Sequence, residues 1–300
     1  MRTRLDSRSI VSDAGLRVGM VPGLGAKITS FRLGGGREWV APPFRPLELP
    51  VSPSQDWGEL DCSGWDECFP NIAASDPLGL PDHGEVWRHS WAIEESGGSL
   101  TTSTTAPSYA FDRRATVTGR EVRLDYTVRN TGAAQLSWAW AQHPLLAVDE
   151  DTRLVLPESS PVRLESALDR QVPTADASWF TPDGVLPREQ TLRSALGRAA
   201  KFWVEDMPAS IAVVRDEDWI IWHLGRSSPP HVGLWINLGG WGDESLRHLA
   251  IEPAFGDSDE PGAAFAATAP WRLAPGGSHS WSVSIEVGTG LQELAGALED

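Results

Sequence analysis

The sequence predicts an all-β sandwich, and three observations carry that expectation. Short runs of alternating apolar and polar residues recur along the chain, Gly, Pro, Asn and Asp punctuate them, and helical periodicity is scarce. With 300 residues at 41% hydrophobic, the chain can bury a substantial core as one large β unit spanning 1–300.

In chain order, "AKITSFRL" and "EVRLDYTV" read as strands, the second placing Val122, Leu124, Tyr126 and Val128 on one face. "LSWAWAQH" puts Leu136, Trp138 and Trp140 on one face and Ser137, Ala139, Ala141 and His143 on the other. "SIAVVRD", "WIIWHL" and "VGLWINL" are further strands. "HLAIEPA" turns Leu249 and Ile251 one way and His248, Ala250 and Glu252 the other. "SWSVSIEV" closes the series, with Trp281, Val283, Ile285 and Val287 opposite serines and Glu286. Turns lie at "RNTGA", "TPDG", "SSPP" and "APGG". Helix is expected at "LQELAGALED" and, more weakly, around "TLRSALGRAAKF". Two Pro-rich passages, 41–57 and 254–271, read as long loops of the kind that carry function.

Composition excludes several classes. A net charge of −16 with scattered basic residues offers no positive stripe for nucleic acid or for an anionic membrane surface. No apolar run approaches the roughly 20 residues of a membrane helix, and the N-terminus shows no secretory h-region. Cys62 and Cys68 are the only cysteines, too few for a four-cysteine zinc site and under no demand to pair. The expectation is a cytoplasmic protein, monomer or homodimer, with free thiols. "GLGAK" lacks the spacing of a phosphate loop, and "GDSDEPG" that of a calcium loop.

Four residues stand out as candidates for chemistry. His143 lies on a face lined by small side chains, which leaves room above it for a ligand. Glu252 follows a buried-looking position, and carboxylates are rarely buried without a partner. His83 sits in an Asp-His-Gly turn within "LPDHGEVWRHSW", and Asn71 follows Pro70 in "GWDECFPNI". Each has a plain structural reading: a strand-end histidine, a solvated glutamate, a packed turn histidine and a turn former.

Their joint arrangement resembles the aldose 1-epimerase (galactose mutarotase-like) family, almost end to end. "GLRVGMVPGLGAKITSFRLGGGREWV" is similar to the family's opening strands. "GWDECFPNI" resembles its F-P-N segment, and "LPDHGEVWRHSW" its H-G-x-x-R…W segment. "LDYTVRNTGAAQLSWAWAQHPLL" resembles Y-x-V-x-N…H-P-Y-F, "IEPAFGDSDEP" resembles E-P-x-x-G-x-D, and "LAPGGSHSW" the closing L-x-P-G-x-S. The resemblance implies a β-supersandwich, with large antiparallel sheets and few short helices, that binds a monosaccharide on its concave face without cofactor or metal. It implies His143 as the acid at the ring oxygen, Glu252 as the base at the anomeric hydroxyl, and His83 as a second site histidine. Asn71, Arg88, Asp66, Trp87 and Trp235 are the expected sugar contacts. One group that accepts a proton and one that donates suffice to open a hemiacetal and reclose it on the other face.

The chain departs from the family pattern at named positions. Leu145 and Leu146 stand where Tyr and Phe usually follow His-Pro. Trp87 occupies the position of the family arginine, with Arg88 one residue late while Trp91 keeps the spacing. Lys201 lies near the place of an aspartate that many members carry. These changes bear on which sugar is bound. Trp65, Trp87, Trp235 and Trp241 could supply stacking faces, and His89 reads as structural.

Other classes stay open. A carbohydrate-binding protein without activity would share the scaffold. His83, His143 and Glu252 formally make a two-His-one-carboxylate metal set. Glycoside hydrolysis would pair Glu252 with Glu67, Glu85 or Asp66. A phosphosugar would call for more cations than Arg88 and Lys201.

Overall fold

The computed structural model describes residues 5–48, 55–170, 177–260 and 271–299. Among these residues, two large antiparallel sheets carry most of the chain. The eleven-stranded sheet runs, in spatial order, through Arg8–Val11, Leu16–Val21, Lys27–Leu33, Trp65–Cys68, Trp140–Pro144, Arg247–Phe255, His231–Leu238, Arg198–Val204, Ser160–Asp169 and Val185–Leu186, with Leu146–Ala147 also paired to Arg247–Phe255. The nine-stranded sheet runs Glu189–Thr191, Arg153–Val155, Ser210–Arg215, Asp218–His223, Ser278–Thr289, Glu121–Asn130, Tyr109–Thr118, Ser99–Ala106 and Ala92–Ser96.

Period-two alternation explains how the two sheets stack. Val122, Leu124, Tyr126 and Val128 from one strand and Trp281, Val283, Ile285 and Val287 from its neighbour point into one large apolar core. Facing them from the larger sheet are Trp65, Trp140, Phe202, Leu234, Ile236, Leu249 and Ile251. The residues between these, on the same strands, point away from that core. Cys68, Ala141, Trp203 and Ala254 form a separate small cluster on the far face. Leu145, Trp57, Trp87 and Ala250 form another.

The inter-sheet core also holds a closed polar network. Glu67 accepts hydrogen bonds from Arg113 (2.8 Å), Tyr126 (3.0 Å) and Trp140 (3.0 Å). Gln142 donates to the Tyr126 hydroxyl (2.9 Å) and accepts from Trp222 (3.2 Å). Burial pushes the Glu67 carboxyl up to about 7, against the opposing pull of Arg113. These groups are fully enclosed, so each bond replaces water that is no longer there.

Two expectations for local structure are corrected. Residues 191–202 do not form a helix: a 3-10 turn at Leu192–Ala195 leads through Gly197 into the strand Arg198–Val204. Strand neighbours on both sides, Ser160–Asp169 and His231–Leu238, outweigh a helical propensity that was only local. The run Leu136–His143 is also interrupted. Leu136–Ser137 pairs with Arg272–Leu273, and the backbone rejoins the large sheet only at Trp140. The C-terminal helix, α1 (Leu291–Glu299), forms as the sequence predicts and packs Leu294 on Val214, Trp219 and Ile221, on the outer face of the nine-stranded sheet.

Besides register shifts at Gly19/Met20 and Leu164/Ser166, the large sheet is interrupted at the strand that carries His143. Trp140 and Ala141 pair with Phe255 and Ala254, and Leu146 and Ala147 pair with Leu249 and His248 in the same register. Between them the ladder is open. That register sets His143 opposite Glu252, Gln142 opposite Pro253 and Pro144 opposite Ile251. Leu145 sends its N–H to the Gly64 carbonyl (2.9 Å) and takes the Ala41 N–H on its own carbonyl (2.7 Å). Pro144, one residue earlier, therefore faces the Arg247–Phe255 strand. Each proline withholds an N–H where the ladder would need one.

Candidate active site

The opened ladder forms the floor of a cleft of about 180 Å³ on the face of the large sheet turned away from the inter-sheet core. That is smaller than the roughly 300–1,000 Å³ of pockets for drug-sized molecules and suits a small ligand. His143 and Glu252 rise from the floor, His83 and Asp82 enter from a turn, and Lys201 and His248 come from flanking strand positions. Trp57, Trp235 and Trp241 supply aromatic walls.

His83 is aimed by a clasp of local interactions. His83 and Gly84 both adopt left-handed backbone (φ +58 and +69). A Cβ at Gly84 would lie 2.1 Å from the Phe69 carbonyl oxygen, so only glycine fits. The His83 N–H donates to Ile72 (2.8 Å) and the Glu85 N–H to Phe69 (2.7 Å). Asn71 donates its side-chain amide to the carbonyls of Ala73 (2.8 Å) and Pro81 (2.7 Å). Trp87 donates its indole N–H to the Gly84 carbonyl (3.0 Å). The imidazole then stacks on Trp57 (4.5 Å) and meets the edge of His143 (4.6 Å between centroids).

Charge in the cleft is organised in pairs. Asp82 Oδ2 lies 2.7 Å from His83 Nδ1. Burial works against a charge on His83, but Asp82 outweighs it and raises the imidazole above its ordinary value. His143 is the reverse case. Burial first, and then the cationic His83 and Lys201, hold it well below the ordinary histidine value, so the ring is neutral. Its Nδ1 has no hydrogen-bond partner among the described residues.

Glu252 is ion-paired and hydrogen-bonded to Lys201 through Oε2, while Oε1 has no partner among the described residues. Burial raises its carboxyl, with Lys201 pulling it back. Lys201 also lies 3.6 Å from Asp259. Burial would lower the ammonium, yet the two carboxylates raise it on balance. Gly233 makes room for this pair, because a Cβ there would stand 3.0 Å from Lys201 Nζ and 3.4 Å from Glu252 Oε2.

Among the residues expected from the sequence, the structure brings His83, His143, Glu252 and Trp235 to the cleft, with Trp241. Five of the expected residues lie elsewhere, each for a local reason. Asn71 is buried as the brace of the His83 turn. Asp66 is buried below Trp57, bonded to its indole N–H (3.0 Å) and to Lys27 (3.1 Å). Trp87 packs in the cluster beneath the cleft. The segment Val86–Arg88 is a 3-10 turn, and the Arg88 guanidinium lies 4.6 Å over the Trp87 ring, beside a neighbouring hollow with Asp56 and Asp76. Trp65 is in the inter-sheet core.

The carboxylates considered as partners of Glu252 are not in the cleft. Glu67 faces the opposite side of the sheet, Glu85 accepts from Tyr109 (3.1 Å), and Asp66 holds Lys27. Nor do any three His, Cys, Asp or Glu among the described residues assemble a metal-holding group.

Reasoning from sequence missed Trp57, Asp82, Asp259 and His248 as cleft residues. Trp57 and Asp259 lie in the two Pro-rich passages read as functional loops. His248 shares the face of Glu252, so its signal was present in the alternation. Asp82 had only its adjacency to His83.

No family model and no curated protein matches the chain. Solved structures do. A galactose mutarotase-like protein from Lactobacillus casei superposes with TM-score 0.69 at 15% identity, over 94% of this chain and 100% of that one. A galactose mutarotase related enzyme from Lactobacillus acidophilus gives TM-score 0.66 at 13% identity, over 95% and 98%. A galactose mutarotase-like protein from Clostridium acetobutylicum gives 0.64 at 10%, over 95% and 99%. The chain therefore has the galactose mutarotase-like fold, along nearly its whole length.

Proposed function

We propose that this protein interconverts the α and β anomers of a neutral aldose by acid–base ring opening and reclosure, an aldose 1-epimerase-type reaction. The observation that carries the reading is His143 facing Glu252 across an opened ladder, at the floor of a small cleft walled by tryptophans. Sugar rings offer apolar C–H faces to aromatic walls and hydroxyls to convergent polar groups, which is what this cleft presents. Within the cleft two cationic groups meet three carboxylates, a balance that does not favour an anionic substrate.

In the forward step, Glu252 Oε1 takes the proton from the anomeric hydroxyl as the bond between C1 and the ring oxygen breaks. The ring oxygen receives a proton, and an open-chain aldehyde results. Rotation about C1–C2 presents the other face, and closure returns both protons. Lys201 holds Glu252 ionised, while burial makes it a stronger base than a solvated carboxylate.

The donor is best described as two histidines. Held neutral, His143 can give up a proton only after receiving one, and His83, whose hold on a proton Asp82 strengthens, is the adjacent source. In this reading His83 supplies the proton and His143 delivers it to the ring oxygen. Each proton-transfer group is expected to contribute about 10²–10⁴-fold.

Sugar binding without turnover is the second reading, and the Lys201–Glu252 ion pair favours it, because a base bonded to an ammonium gives up part of its proton affinity. Polarimetry or NMR of mutarotation across a panel of aldoses separates the two. Turnover that falls at least about 100-fold in both His143→Ala and Glu252→Gln supports the enzyme. Sugar binding by the native protein with no turnover establishes the alternative, and unchanged rates in both variants refute the acid–base assignment.

A further inference from the structure

His248 has no place in the acid–base scheme, yet it lines the cleft four residues before Glu252 on the same strand face. It is 1% exposed, and its surroundings fix its proton. Directly across the ladder is Asn237. The Asn237 Oδ1 accepts the backbone N–H groups of Gly239 (3.1 Å) and Trp241 (3.0 Å), and its Nδ2 donates to the Trp241 carbonyl (3.1 Å). The oxygen is thus committed on one side of the amide. The group that meets His248 Nε2 at 3.1 Å is the NH₂, which can only donate. Nε2 must accept, and a neutral imidazole then carries its single proton on Nδ1.

The ring cannot ionise in place, because a proton on Nε2 would set N–H against N–H. Burial acts in the same direction and pushes the group down to about 3. His248 is therefore an uncharged hydrogen-bond donor over the whole physiological range, unlike a free histidine. Trp235 lies beside it (6.3 Å between rings), with Trp241 at right angles to Trp235 (6.1 Å).

We propose that the Nδ1–H of His248 is a recognition donor for an acceptor oxygen of the sugar, a hydroxyl held on the Trp235 and Trp241 side of the cleft, and takes no part in proton transfer. The inference rests on the cleft binding a sugar and adds the contact that discriminates among sugars. A donor fixed in this way recognises a lone pair, so it penalises a substrate that lacks the oxygen.

Two measurements test it. In the native protein, ¹⁵N-histidine NMR should show His248 as the Nδ1–H tautomer, without titration between about pH 5 and 8. A signal that titrates in this range, or protonation at Nε2, overturns the proposal. In kinetics, His248→Phe keeps a planar ring and removes the donor. It should raise KM about tenfold, the worth of one neutral hydrogen bond, and leave kcat within about threefold. The native protein should also reject one monodeoxy sugar, and that rejection should vanish in the variant. A native protein that turns over aldoses while His248→Phe keeps its KM, or loses kcat instead, overturns this inference alone. A native protein that neither binds nor turns over any aldose overturns both readings. The NMR arm holds even where the Phe variant fails to fold.

Discussion

Replacing Asp82 by Asn isolates the group that charges His83. The carboxylate lies 2.7 Å from Nδ1, and the Asn side chain can still accept the backbone N–H groups of Ala74 and His83, so the turn keeps its shape. A hydrogen bond to a charged partner contributes about 1.5–3 kcal/mol. With 18% of the His83 side chain and 31% of the Asp82 side chain exposed, water screens part of it and the lower end applies. Since about 1.4 kcal/mol is a factor of ten, the variant should hold the His83 proton about tenfold more weakly. His83 is raised above its ordinary 6.5, so its proton is fully present below that value and lost as pH rises through the raised one. The loss must come earlier in the variant. Near pH 6 the two proteins should mutarotate at rates within a few-fold of each other, and above the wild-type midpoint the variant should be about tenfold slower. The acid limb, where Glu252 takes up its proton, should not move. Histidine NMR titration follows the imidazole directly and polarimetry follows the rate. A basic limb that stays in place in Asp82→Asn, or a His83 that titrates unchanged, refutes the two-histidine donor.

Three further substitutions probe the scaffold. Gly84→Ala meets the Phe69 carbonyl in left-handed backbone and should cost at least about 1–3 kcal/mol, visible as a lower urea midpoint. Gly233→Val drives methyl groups against Lys201 and Glu252 at a strand position that tolerates β-branching. Activity should fall about 100-fold, as for a misplaced catalytic group, while circular dichroism is unchanged. Arg113→Met leaves Glu67 buried without its cation and should destabilise by about 3–5 kcal/mol. Adding Glu67→Leu should return much of that in the same denaturation assay.

The fold was legible because its evidence is local. Each strand carries its own alternation, and the bulky faces at Trp140, Leu249 and Ile251 point to the core as their spacing requires. The same periodicity set His143 and Glu252 on the open face. What could not be read was how distant strands align. That Lys201 would reach Glu252 depends on both strands pairing with His231–Leu238 and on a glycine at position 233 between them. Asp66 and Asn71 sit in the segments expected to touch sugar, yet both are drawn inward by partners remote in sequence: Lys27 for the first, the Pro81 carbonyl for the second. The 191–202 segment shows the same limit from the other side, since strand neighbours overrode its helical pattern.

The two prolines beside His143 and Glu252 also bear on how the sheet deforms. Across four positions on each strand, Gln142–Leu145 and Ala250–Pro253, the ladder pairing that joins the rest of these two strands lapses, and Pro144 and Pro253 have no N–H to give it. A sheet resists shear through its cross-strand bonds, so this stretch is a compliant seam within an otherwise stiff surface. With fewer cross-strand bonds to resist it, the seam can widen or narrow more easily than the paired sheet on either side. Under the proposed function, a sugar that bridges His143 and Glu252 would become the missing rung and lend stiffness where proton transfer demands fixed distances.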